Sequence, residues 1–215
     1  MKYVIASIGR SGSTLVSELV SHSIGKNIIL ISDLRSIEDA VLKTHVHFKF
    51  EPKYDYRAIF IYSKDIIDVI SSMHSGRMDV MKHLVHLEVL KRQRIIFWMI
   101  IKIGALLRLR KIIDATKSLA FQYMIKNDKF RFKENALSWR SSKNVLFIAY
   151  EDLCESKDKE LLRMSSFLGI TLPNFEVRKR QAKEDNTPTK LINLAMREYK
   201  DFFYCLGGKS DGLED

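Results

Sequence analysis

The chain has 215 residues, of which 46% are hydrophobic and 29% are charged. This balance is typical of a globular protein and excludes the disordered and fibrous classes. The length is sufficient for one well-buried core, and no proline- or glycine-rich linker interrupts it, so we expect a single domain over residues 1–215. The formal net charge of +10 favours an anionic partner such as a polyphosphate nucleotide, an acidic acceptor, nucleic acid or a membrane surface.

The two cysteines, Cys154 and Cys205, have neither the spacing of a metal site nor the number needed for a disulfide framework. The N-terminal residues lack the basic region and apolar run that together mark a signal peptide. These observations predict a cytoplasmic protein.

Five short apolar runs, rich in β-branched and aromatic residues, predict strands. They show little alternation of polar and apolar residues, which is typical of strands buried on both faces of a parallel sheet. In chain order the runs are Tyr3–Ala6, Ile28–Ile31, Ala40–Leu42, Ala58–Tyr62 and Val145–Ala149.

Apolar residues at helical spacing separate these runs. The first helical pattern ends at Gly25, a residue suited to a helix C-cap, and the second follows Asp65, a good N-cap residue. A long apolar and basic helical region covers about Val80–Leu137. A fourth pattern runs from Ser156 to Gly169.

The alternation of strands and helices predicts an α/β protein. We expect a three-layer α/β/α sandwich of the P-loop NTPase-like kind, with a central, mainly parallel sheet. A helical insertion at about residues 74–140 would precede the last core strand. In such sheets ligands bind outside the carboxyl ends of the strands.

The first predicted strand is followed by a turn with the composition of an anion-binding loop. Residues 9–14 read Gly-Arg-Ser-Gly-Ser-Thr. Glycine lets backbone N–H groups approach an anion closely, and the N-terminus of the following helix adds further donors and a favourable dipole. The loop therefore predicts a site for a phosphate-bearing ligand.

Charged and aromatic side chains follow the other predicted strands. Lys43 and His45 end the third strand, Lys64 follows the fourth, and Tyr150 follows the fifth. Because carboxyl ends of parallel strands share one edge, we expect these residues and Arg10 to surround a multiply phosphorylated ligand. Histidine suits proton transfer there, since its unperturbed pKa lies near neutrality.

Four blocks of sequence, in order, resemble the sulfotransferase family that uses 3′-phosphoadenosine 5′-phosphosulfate (PAPS). Residues 9–14 are similar to the family's 5′-phosphosulfate loop, and Lys43-Thr44-His45 is similar to its K-T-H block. Residues 61–72 are similar to the 3′-phosphate block. Residues 145–153, followed by Phe167-Leu168-Gly169, are similar to the V-L-x-x-x-Y-E-D-L and F-L-G segments.

The resemblance implies in-line transfer of a sulfuryl group from PAPS to an acceptor hydroxyl or amine, with adenosine 3′,5′-bisphosphate (PAP) as product. It implies that His45 is the catalytic base, with Glu38 as the alternative, and that Arg10 and Lys43 stabilise charge on the 5′ side. No metal is expected, since cationic side chains would neutralise that charge. The cofactor-binding residues it implies are Arg10, Ser11, Gly12, Ser13, Thr14, Lys64, Ser72 and Tyr150.

Two other functions stay open at this point. A P-loop nucleotide or small-molecule kinase would need a lysine directly after Gly12, where the chain has Ser13. A non-catalytic protein that binds nucleic acid or lipid would use the stretch Lys82–Lys117, which contains nine Lys or Arg and two acidic residues.

Predicted partners follow from the same features. We expect a small-molecule or glycan acceptor, no specific nucleic acid, and peripheral contact with anionic surfaces; the oligomeric state is left open. The apolar segment Ile95–Leu107 is shorter than the about 20 residues that a spanning helix needs, so it predicts a buried or interfacial helix.

Overall fold

The structure is a computed structural model that describes residues 1–8, 12–30, 40–45, 55–75, 96, 99–100, 102–103, 106–107, 109–128, 130–142, 144–176 and 187–207. Its strands are β1 Lys2–Ser7, β2 Ile28–Leu30, β3 Val41–Thr44, β4 Tyr56–Tyr62 and β5 Val145–Ala149. The helices whose two ends the structure defines are α1 Ser13–Ile24, α2 Ile66–Ser75, α3 Arg110–Lys126, α4 Phe132–Arg140, α5 Tyr150–Glu155, α6 Lys157–Leu168 and α7 Thr189–Gly207.

The five strands form one sheet in the order β2-β3-β1-β4-β5, and every neighbouring pair is parallel. All five predicted strands are confirmed. The chain goes from β1 to β2 and β3 on one side, then returns past β1 to β4 and β5 on the other. The strand order therefore reverses beside β1, which is where ligands bind in open parallel sheets.

One face of the sheet packs against α1 and α6. Alternate strand residues on this face form a dry core with apolar residues of the two helices, because successive side chains of a strand point to opposite faces. The strand residues in this core are Ile5, Val41, Ile59, Ile61 and Ile148, and the helix residues include Val16, Val20, Leu161, Met164 and Leu168.

The opposite face of the sheet packs against α4. The ring of Trp139 lies 6.4 Å from that of Phe60, and Phe60 lies 4.9 Å from Phe147 of the neighbouring strand. Trp139 and Phe60 are fully buried. Helices on both faces of a parallel sheet confirm the predicted α/β/α sandwich.

The chain divides into two compact units. The first comprises residues 1–64, 132–181 and 203–215 and holds the whole sheet; the second comprises residues 65–131 and 182–202. Within the second unit, the Tyr199 hydroxyl donates to the Asp128 carboxylate at 2.7 Å, and burial raises the pKa of Tyr199. The expectation of a single domain stays a prediction.

Helix ends agree with their predicted caps. Gly25 and Gly169 follow α1 and α6 in the left-handed region, with φ of 66° and 69°. The Asp65 carboxylate accepts a hydrogen bond from the N–H of Ile67 at 2.8 Å, at the start of α2.

The predicted insertion, which begins near the end of α2, contains α3 and α4, and positive φ at Asp128 and Arg131 marks the break between these two helices. The sequence analysis did not predict α5 or α7, although Leu191, Ala195 and Tyr199 recur at helical spacing and are buried on α7. Among the described residues, no helix is both long enough and apolar enough to cross a membrane.

Candidate active site

Gly12 begins the site at the carboxyl end of β1, where it caps the N-terminus of α1. Its φ is +82°, and a Cβ built on it would lie 2.4 Å from Cδ2 of the Tyr150 ring. Only glycine fits this backbone conformation against this ring. Gly12 has no side chain that could cap the first amides of α1, so the helix start has the character of an anion site.

Lys43 joins β3 to this helix start. Its Nζ donates to Oγ1 of Thr14, in the first turn of α1, at 2.6 Å. Partial burial lowers the pKa of Lys43, while the nearby Glu18 carboxylate raises it. A cation and a hydroxyl therefore stand together beside the N-terminus of α1.

His45 directly follows β3, and its Nδ1 faces the end of β1. Nδ1 lies 2.8 Å from Oγ of Ser7 and 3.3 Å from the Ser7 carbonyl oxygen. A carbonyl oxygen can only accept, so Nδ1 carries the proton when it bonds to that oxygen, and Nε2 then keeps its lone pair. His45 as a whole is exposed to solvent, although its Nδ1 atom is hydrogen-bonded to Ser7.

The surroundings of His45 favour its neutral form. Desolvation by neighbouring protein atoms lowers the pKa of the imidazole most, the Lys43 charge lowers it further, and the hydrogen bond to the Ser7 backbone raises it. The net direction is downward from the ordinary value of 6.5. His45 is therefore unprotonated at neutral pH, which is the state that a general base requires.

Asn135 of α4 ties the ends of β1 and β3 together from the other face of the sheet. Its Nδ2 donates to the carbonyl oxygens of His45 and Ser7, at 3.2 and 3.4 Å. The side chain is buried, and Oδ1 has no hydrogen-bond partner among the residues that the structure describes. Asn135 and Ser7 were not predicted as site residues, because nothing in their local sequence indicates contact with His45.

The residues after Tyr150 hold the turn that follows β4. The Glu151 carboxylate accepts hydrogen bonds from the Ser63 hydroxyl and from the Lys64 N–H, the latter at 2.9 Å. Lys64 Nζ lies 2.5 Å from the Asp152 carboxylate in a partly exposed ion pair. A phosphate that binds Lys64 would therefore compete with Asp152. The sequence analysis assigned no role to Glu151 or Asp152.

The structure brings most of the predicted residues it describes to the carboxyl edge of the sheet: Gly12, Ser13, Thr14, Lys43, His45, Lys64 and Tyr150. Ser72 lies on α2, in the second unit, and its predicted role stays a prediction. Arg10, Ser11 and Glu38 lie outside the described residues.

These residues fit the phosphate end of a nucleotide. The observation that supports the fit is the start of α1, where a helix N-terminus whose cap residue is a glycine, the Thr14 hydroxyl and the Lys43 ammonium group meet. Within the described part of the chain, no group of three or more His, Cys, Asp or Glu could hold a metal ion.

Residues 115–197 match the family model described as "Sulfotransferase domain". The resemblance to the sulfotransferases is confirmed over these residues. They include the Tyr150-Glu151-Asp152 segment, whereas residues 9–14 and Lys43-Thr44-His45 lie outside the matched range. No curated protein sequence matches the chain significantly.

Two solved structures are similar to this chain. A crystal structure of mouse sulfotransferase SULT7A1 complexed with PAP is 18% identical, with a TM-score of 0.49, and the match covers 92% of this chain and 63% of that one. Retinol dehydratase in complex with androsterone and inactive cofactor PAP is 17% identical, with a TM-score of 0.48 and coverages of 93% and 66%. The chain spans less than two thirds of the length of either structure.

Proposed function

We propose that this chain is a sulfotransferase that moves the sulfuryl group of PAPS to an acceptor hydroxyl or amine by in-line displacement. The sulfotransferase-domain match supports the reaction class. The observation that carries the proposal is the position of His45, whose Nδ1 is held by Ser7 beside the Lys43–Thr14 contact. Sulfuryl transfer needs a base that takes the proton of the acceptor and a site beside it that binds the phosphosulfate. A neutral imidazole next to an anion-binding helix N-terminus meets both needs.

His45 acts as the base in this proposal. With Nδ1 bonded to the Ser7 carbonyl, Nε2 accepts the proton of the acceptor hydroxyl. Ser7 and Asn135 are positioning residues: Ser7 holds the ring, and Asn135 holds the backbone carbonyl of His45. Because the pKa of His45 is lowered, the base is available at neutral pH without a carboxylate partner.

Lys43 and the start of α1 hold the 5′ phosphate end. When bound, PAPS supplies the sulfuryl group and a phosphate leaving group. Lys43 Nζ, the Thr14 hydroxyl and the first amides of α1 stabilise negative charge at that end. The resemblance assigns Arg10 and Ser11, which lie outside the described residues, to the same phosphate. Gly12 lets the loop approach closely, with Tyr150 packed against it.

Lys64 leaves its ion pair with Asp152 and binds the 3′-phosphate. The Lys64–Asp152 pair is partly exposed, and exposed ion pairs are weak, so a doubly charged phosphate can displace the carboxylate. The acceptor is a small molecule or a glycan, and no metal takes part.

Two measurements test the proposal. We expect PAP to raise the Tm of the chain more than magnesium-ATP does, and we expect transfer of labelled sulfate from PAPS to at least one of a panel of sugars, phenols and lipids. Stabilisation by magnesium-ATP alone would instead assign the site to a kinase. Binding of PAP without transfer to any acceptor would contradict catalysis but not the binding site.

A further inference from the structure

Six apolar residues form an exposed face on the segment that precedes α3. The residues described between 96 and 106 are helical, and the N–H of Leu107 donates to the Ile103 carbonyl at 2.9 Å. At 3.6 residues per turn the six side chains fall within an arc of roughly 120°. They are 38% to 83% exposed: Ile96, Met99, Ile100, Ile103, Leu106 and Leu107.

This exposure of apolar side chains is unusual for a helix on the surface of a protein in water. A surface helix turns its apolar stripe to the core and its polar residues to solvent. Here every apolar residue that the structure describes from 96 to 107 is exposed, whereas α3, directly after this segment, buries Ala120, Phe121 and Met124. Exposed contiguous apolar surface of this kind marks an interaction site.

The charges around the face identify its partner. Between Glu88 and Asp114 the sequence contains seven Lys or Arg and no acidic residue. Three of them precede the apolar face (Lys91, Arg92 and Arg94), three follow it (Arg108, Arg110 and Lys111), and the exposed Lys102 lies between. An anionic lipid surface matches both the apolar stripe and the charge.

We propose that the helical face formed by Ile96, Met99, Ile100, Ile103, Leu106 and Leu107 lies in the interface of an anionic lipid membrane. Its apolar side chains enter the boundary between headgroups and acyl chains, and the flanking Lys and Arg bind the lipid headgroups. The contact is peripheral, since the apolar run is shorter than the about 20 residues of a spanning helix. Such binding would hold the chain at a surface and is independent of the proposed chemistry.

Vesicle flotation of the full chain, without nucleotide, tests the inference. We expect binding to vesicles of phosphatidylcholine and phosphatidylglycerol in equal parts, weaker binding to phosphatidylcholine alone, and loss of the difference at high salt. Ile103→Glu or Leu106→Glu should lower the partition coefficient between vesicles and water by roughly tenfold or more, because a charge replaces an apolar group that enters the membrane. Lys102→Glu should weaken binding to the anionic vesicles only.

Matched controls are available on α6. Leu162, 71% exposed, is an apolar residue outside the face, so Leu162→Glu should bind vesicles as the unchanged chain does; Lys159→Glu is the control for Lys102→Glu. Equal losses in Leu162→Glu and Leu106→Glu, or equal binding to neutral and anionic vesicles, would overturn the proposal. So would a dimer in sedimentation velocity that Ile103→Glu dissociates, since the face would then belong to a second copy of the chain.

Discussion

Lys43 donates a hydrogen bond from Nζ to Oγ1 of Thr14 at 2.6 Å, across 29 positions of sequence. This contact joins the end of β3 to the first turn of α1. It places the charge of the Lys43-Thr44-His45 block beside the start of α1, so two short motifs that are far apart in sequence lie together in the fold.

His45→Ala should lower turnover by about 10²- to 10⁴-fold, the range typical of general-base catalysis. Binding of PAP should be largely retained, because the phosphate-binding groups lie on Lys43 and α1. Steady-state transfer and calorimetric titration with PAP measure the two effects. His22→Ala, an exposed histidine of α1, is the control. Unchanged turnover in His45→Ala would remove His45 as the base and make Glu38 the next residue to test.

The pH profile should report the lowered pKa of His45. The base works only when neutral, so kcat/KM should fall only as pH drops below the ordinary value of 6.5. The Lys43 charge lowers that pKa, so Lys43→Met should raise it and move the acidic limb to higher pH, in addition to reducing turnover. Lys159→Met should leave the limb in place. A limb that stays in place or moves to lower pH in Lys43→Met would contradict the assignment.

Gly12→Ala should destabilise the fold more than Gly25→Ala. Both glycines have positive φ, which costs an L-residue about 1–2 kcal/mol. A Cβ on Gly25 meets nothing within 4 Å, whereas one on Gly12 meets the Tyr150 ring at 2.4 Å. We expect Gly12→Ala to cost about 1–3 kcal/mol more, the usual penalty for overpacking. Urea unfolding of both variants measures the difference, and equal destabilisation would show that the ring yields freely.

Asn135→Leu should lower the free energy of unfolding by about 1–3 kcal/mol, since it leaves the carbonyl oxygens of Ser7 and His45 without their shared donor. Turnover should also fall, because the end of β3 is then less well held, while PAP affinity changes little. Leu137→Ala, at an exposed position of the same helix, is the control for stability. A fall in stability without any change in turnover would limit Asn135 to a structural role.

Lys64→Ala should weaken the preference for PAP over adenosine 5′-phosphate, and Asp152→Asn should strengthen it by releasing Lys64. Because the pair is partly exposed, Asp152→Asn should change stability by less than about 1 kcal/mol. Competition titrations with the two nucleotides measure the preference, and Lys159→Ala is the control. Equal affinity of the unchanged chain for both nucleotides would refute the role of Lys64.

The strands could be predicted from sequence because each is a short apolar run, and burial on both faces leaves little choice of residue. Helix ends were also predictable where a special residue was needed, as at Gly25, Gly169 and Asp65. The break between α3 and α4 was not, since Asp128 and Arg131 adopt positive φ without being glycines. Tertiary packing decides the conformation at those two positions.

The sequence by itself determined where the strands lie and which polar residues follow each of them, because a run of apolar residues and the residues that end it are local properties of the chain. Only the tertiary structure decided which of their atoms meet. Ser7 holds Nδ1 of His45, Asn135 bridges two strand ends, and Asp152 forms an ion pair with Lys64. These contacts join residues 38, 90 and 88 positions apart, and the order of strands in the sheet, not any local pattern, brings them together.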